Sequence, residues 1–179
     1  MSNTKGTMMK LCTVLAALLV CAAIPAQEVR VDTEAEQPWK KTLNYRKALK
    51  IELKELQGKK AFVVSGAAGD TAFAFITPDL PVSGKKKVSV RFNYMATAGM
   101  KNFSGGGFCN ALRWYDASGK ELLPMTKFKL PDANGSFQEF KGTFPVPEKA
   151  AAVNLQIGFD NPNLEPGKTF AVADVLISD

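Results

Sequence analysis

Two stretches of the chain alternate with a period of two, and they constrain the fold more than any other feature. Between Lys87 and Thr97, Val88, Val90, Phe92, Tyr94 and Ala96 take turns with Ser89, Arg91, Asn93, Met95 and Thr97. Between Ala152 and Asp160, Val153, Leu155, Ile157 and Phe159 oppose Asn154, Gln156, Gly158 and Asp160. Successive side chains of a strand point to opposite faces, so each stretch reads as a strand with one buried row and one solvated row. A helix would wind the same apolar residues around its whole circumference.

The remaining runs fit the same pattern. Lys59–Ser65 and Thr71–Ile76 are short and apolar, separated by a turn at Gly66–Gly69. Phe108–Asp116 and Lys120–Leu123 flank Ala117-Ser118-Gly119, which reads as a hairpin turn. Phe137–Phe144 and Lys168–Ser178 complete the set. Short runs punctuated by Gly and Pro predict an all-β fold, an antiparallel β-sandwich of eight or nine strands spanning residues 58–179. Asn44–Gln57 suits either a helix, through Tyr45, Leu49, Leu53 and Leu56, or a strand, through Leu49, Ile51 and Leu53. A strand agrees better with its surroundings, so residues 27–57 are expected to pack on the sandwich. Ser104–Gly107 reads as a flexible loop.

Residues 1–26 have the form of an export signal. Lys10 precedes the apolar run Leu11–Ile24, and Pro25-Ala26 ends it. The run falls short of the roughly 20 residues that span a membrane. Cleavage after Ala26 is one outcome; a lipoprotein signal with Leu18-Leu19-Val20-Cys21 is the other. Both lead out of the cytoplasm, to a secreted, periplasmic or cell-surface location. The segment holds two lysines and no acid, which leaves 21 basic and 17 acidic residues beyond it, a net charge of +4. For an exported protein that surplus suits an acidic surface polymer or simple solubility, and nucleic acid is not an expected partner. If Cys12 and Cys21 leave with the signal, Cys109 remains alone, so the fold must rest on its apolar core rather than on disulfides.

The chain contains no histidine. That closes the Ser-His-Asp triad, the Cys-His dyad and imidazole-ligated zinc. Carboxylate chemistry, metal binding through oxygen and plain binding stay open, and no carboxylate pair stands out on the solvated faces.

The order of elements from Gly58 to Ser178 resembles the carbohydrate-binding modules of the galactose-binding-like jelly-roll group. Gly58–Val64 is similar to their early core strand, and Val88–Tyr94 to their long central strand. Tyr115–Leu122 looks like their Asp-x-x-Gly-Lys hairpin, and Phe144-Pro145-Val146-Pro147 leads into Val153–Ile157 and the closing Val172–Leu176. The resemblance implies a non-catalytic, sugar-binding role; the group also holds structural and protein-binding domains, so a surface domain without a sugar site is the alternative. The group often carries a structural calcium. Here Ala173-Asp174 supplies one acid where a pair is usual, which leaves a structural calcium open, and no other cofactor is expected.

The solvated rows suggest where a ligand sits. Arg91 and Asn93, Arg113 and Tyr115, and Asn154 and Gln156 come from three predicted strands and are expected to line one sheet face as the ligand-binding residues. Amides donate and accept, as a sugar hydroxyl does, and arginine adds a fork for a carboxylate or sulfate. The partner implied is a polysaccharide or oligosaccharide, an anionic or plant-type one among the candidates. Trp39 is expected to pin the N-terminal segment to the core, and Trp114 to lie inside it. Asp160–Asn163 reads as a turn, and Lys85–Lys87 as a charged strand entrance.

Overall fold

A computed structural model describes residues 26–32, 39, 41–44, 51–66, 73–100, 110–159 and 166–179. Residues 1–25 of the expected export signal, Cys109, the expected 104–107 loop and the expected 160–163 turn lie outside these residues. The described elements are strands: β1 (Glu28–Arg30), β2 (Lys41–Asn44), β3 (Ile51–Leu56), β4 (Lys59–Ser65), β5 (Phe73–Ile76), β6 (Leu80–Pro81), β7 (Lys87–Ala96), β8 (Ala111–Tyr115), β9 (Glu121–Lys127), β10 (Gln138–Pro145), β11 (Ala152–Gly158) and β12 (Thr169–Ser178). No helix among the described residues is long and apolar enough to cross a membrane.

All pairings are antiparallel. The first sheet runs β10-β7-β12-β4-β3, with β1 on β12; the second runs β2-β5-β11-β8-β9, with β6 on β11. The expected β-sandwich is therefore present, with twelve described strands where eight or nine were expected. The additions β1, β2 and β6 are two to four residues long, too short for alternation to register.

One core lies between the sheets. β7 contributes Val88, Val90, Phe92, Tyr94 and Ala96, and β11 contributes Val153, Leu155 and Ile157, the rows that alternation assigns to the interior. Burying each large apolar side chain is worth about 1.5–3 kcal/mol. Aromatic rings bridge the layers: Phe75 of β5 meets Phe170 of β12 at 5.8 Å, and Phe128 stacks on Phe140 of β10 at 4.6 Å. Both tryptophans behave as expected. Trp39 packs against Phe62 and Phe75 at 5.2 and 4.5 Å. Trp114 is fully buried and donates its Nε1–H to Thr126 Oγ1 at 2.8 Å.

Asn44–Gln57 resolves toward the strand over Ile51–Leu56; Tyr45 and Leu49 lie outside the described residues. β3 and β4 join through Gln57 and Gly58, both left-handed at φ 50° and 75°, the two-residue hairpin geometry that glycine favours. Gln57 also fastens this turn to a neighbouring loop, donating to Gly135 O at 2.8 Å and accepting from Phe137 N at 3.3 Å. Phe137 and Leu56 thereby cover a second apolar cluster, Ala61, Val63, Met95, Ala171 and Ala173, on the outer side of the first sheet. Met95 was expected among solvated residues; it is buried because this loop folds over it.

Candidate functional site

The six residues expected on one face are divided between two. β7 belongs to the first sheet, and β8 and β11 to the second. The inner rows of both strands share one core, so Arg91 and Asn93 point out of one side of the sandwich. Arg113, Tyr115, Asn154 and Gln156 belong to the opposite side. The expectation of one shared concavity is overturned. Each row's parity is right, but outward from one sheet is opposite to outward from the other.

Around Arg91 the first sheet is open. Arg91 of β7 stands opposite Lys141 of β10, Asn93 opposite Glu139 and Ser89 opposite Thr143. Two adjoining hollows meet at Arg91. One, of about 550 Å³, is lined among others by Ser89, Lys141, Thr143, Leu176 and Ser178. The other, of about 390 Å³, reaches Asn93, Glu139, Asp174 and Arg30. Among the described residues no aromatic ring lines either.

The ionic groups here are mostly matched. Lys141 meets Glu139 at 2.8 Å and Arg30 meets Glu28 at 2.8 Å. Asp174 accepts from Asn93 Nδ2 at 2.8 Å and from Lys59 Nζ at 3.1 Å. Asp174 reaches this position through a register shift in β12 between Ala173 and Leu176, where its backbone turns left-handed at φ 52°. Bulges of this kind re-aim a side chain at the cost of local strain. Arg91 is different. Of the three described arginines it is the one whose guanidinium has no carboxylate partner among the described residues.

On the opposite side, β8 and β11 bring four expected residues together. Asn154 lies directly across from Arg113, Ala152 from Tyr115 and Gln156 from Ala111. This face is closed at its centre, where Asn154 is 1% exposed and Gln156 is fully buried. Its polar groups are largely spent on each other. Arg113 grips Glu121 with two hydrogen bonds of 2.9 and 2.6 Å, and Asn154 Nδ2 donates to Asp79 at 2.8 Å. Buried Asn110 accepts from Gly158 N at 2.9 Å. Asn154 Oδ1 and Asn110 Nδ2 keep unused capacity, which is costly in a buried setting.

Asp174, Glu121, Asp79 and Lys59 belong to these two networks and were not expected as site residues. Asp174 carried a faint signal as the single late acid. The others had none, since nothing local in a sequence says which carboxylate meets which cation. Among the described residues no group of three or more Cys, Asp or Glu is placed to hold a metal ion.

No protein-family model matches the chain, and no curated protein matches it in sequence. Solved structures do match in shape. The CBM22-1 xylan-binding domain of Paenibacillus barcinonensis Xyn10C superposes with a TM-score of 0.52 at 9% identity, over 87% of this chain and 96% of that one. The CBM22-1–GH10 modules of Clostridium thermocellum xylanase 10B, complexed with xylohexaose, give 0.51 at 14% identity over 76% of this chain. The enzymatically active domain of bacteriophage CBA120 tailspike protein 4 gives 0.52 at 13% over the same share. The chain spans 25% of the xylanase modules and 19% of the tailspike domain. The chain has the same β-sandwich fold as the CBM22-1 domain on which it superposes.

Proposed function

We propose that the protein is an exported, non-catalytic carbohydrate-binding module that takes a polar, acidic glycan along the hollows of the first sheet. The observation that carries this reading is Arg91, an open guanidinium at the junction of two hollows whose other described ionic groups are mostly matched. A guanidinium so placed forks onto a carboxylate or sulfate. Asn93, Ser89 and Thr143 supply the amide and hydroxyl groups that exchange hydrogen bonds with sugar hydroxyls. The described lining gives charge and hydrogen bonds rather than a stacking ring, so binding weakens as salt rises. Glu139 and Asp174, the described carboxylates of the hollows, each hold a lysine.

A second reading keeps the sugar but moves it to the β8–β11 face. It is favoured by the half-buried Arg113 and Tyr115, which stand on one face at the rim of this closed centre. Calorimetry and a glycan array separate the two. The panel includes polygalacturonate, sulfated polysaccharides and neutral xylan. Acidic-glycan binding that falls tenfold or more in Arg91→Ala and is unchanged in Tyr115→Ala supports the first site. The reverse pattern assigns the second. A blank array, with the protein shown to be folded, ends both.

A further inference from the structure

The first sheet ends on one side at β3, an edge that the described chain leaves open. All of Ile51–Glu55 are exposed and Leu56 is half-buried, although Ile51 and Leu53 are large apolar side chains, 37% and 39% exposed. Open edges are usually blunted, by proline among other devices. The edge strand β9 carries Pro124 and the edge strand β10 ends in Pro145. β3 has no proline and no register shift against β4.

Its hydrogen-bonding groups follow from the hairpin. Leu56 and Lys59 close the two-residue turn, and in such hairpins the closing pair exchanges both hydrogen bonds. Along β3, Leu56, Lys54 and Glu52 therefore bond to β4. The N–H and C=O groups of Ile51, Leu53 and Glu55 point to the open edge.

We infer that this edge pairs with β3 of a second copy of the chain, antiparallel about a two-fold axis at Leu53, which makes one continuous sheet across a dimer. The side-chain pattern selects that register. Centred on Leu53, each Glu52 lies opposite the other chain's Lys54, in the non-hydrogen-bonded position where side chains approach closest, and Leu53 meets Leu53. Shifting the axis one residue either way sets Glu52 against Glu52, or Lys54 against Lys54. Within one chain Glu52 and Lys54 already pair at 3.0 Å, so the dimer exchanges partners without stranding a charge. This inference is independent of the sugar-binding reading and leaves the Arg91 hollows uncovered.

Sedimentation velocity over a range of concentrations tests it on the purified protein. The wild type is expected to dimerise. Glu52→Lys and Lys54→Glu each place like charges in both cross-strand positions and weaken dimerisation about tenfold or more. Mixing these two variants restores a mixed dimer, because each supplies the charge that the other needs, and the double variant dimerises by itself. Restoration on mixing also shows that both variants are folded. A wild type that stays monomeric throughout, a dimer indifferent to both charge reversals, or an edge that takes up a strand of another protein instead of its own would overturn the inference.

Discussion

The outer faces of β7 and β11 are written in the same alternating code and end in opposite states. Beside Arg91 the outer row of β7 is open and hollowed. The outer row of β11, with Asn154 and Gln156, is closed. Alternation reports only which side chains share a face. Whether that face meets water depends on what else packs over it, and no property of the strand itself decides that. Even along β7 the outer row changes state, from exposed Arg91 to buried Met95, within four residues.

The sharpest way to break this contrast is to compare neighbours on β7. Phe92→Ala removes a fully buried ring and is expected to destabilise the fold by about 3–5 kcal/mol. Arg91→Ala, one residue away on the open side, should stay within about 0.5 kcal/mol. Chemical denaturation measures both, and similar losses would mean that the strand's faces are misassigned. A smaller difference separates the two outer rows. Asn154→Ala loses the bond to Asp79 in a buried setting and should cost about 1–3 kcal/mol. Asn93→Ala, at a half-buried site, should cost a few tenths. Equal costs would erase the distinction between a closed and an open face.

The smallest effect sharpens the inner row. Tyr94 is buried and donates its hydroxyl to Pro131 O at 3.0 Å. Burial, with a smaller push from Asp132, raises its ionisation from an ordinary 10.0 to about 12. The folded state thus holds this proton after the unfolded chain has released it. The resulting stability is complete below pH 10 and disappears as pH climbs toward 12. Tyr94→Phe should lose about 1 kcal/mol at neutral pH and show a shallower decline in alkali, read from thermal midpoints against pH. An unchanged alkaline slope would count against a buried hydroxyl.

Much of the fold was legible. β4 and the inner rows of β7 and β11 follow from patterns visible in a few residues, because burial imposes a period on each strand separately. The short strands β1, β2 and β6 were not, since their pairing is imposed by neighbours rather than by their own residues. The candidate site was half legible. Arg113, Tyr115, Asn154 and Gln156 do come together, through the registry of β8 with β11. Arg91 and Asn93 do not join them. Asp174 was missed as a site residue because the backbone irregularity that turns it toward Asn93 and Lys59 leaves no mark in Ala173-Asp174-Val175.

By itself, the sequence determined that this is an antiparallel strand protein with an apolar interior, and which side chains of each long strand look inward. Only the tertiary structure decided which sheet each strand joins and what lies over its outer side. The physical reason is that inward is a local property, enforced residue by residue through the removal of apolar surface from water. Outward has no common direction in a sandwich, because two sheets that share one core must turn their backs to each other.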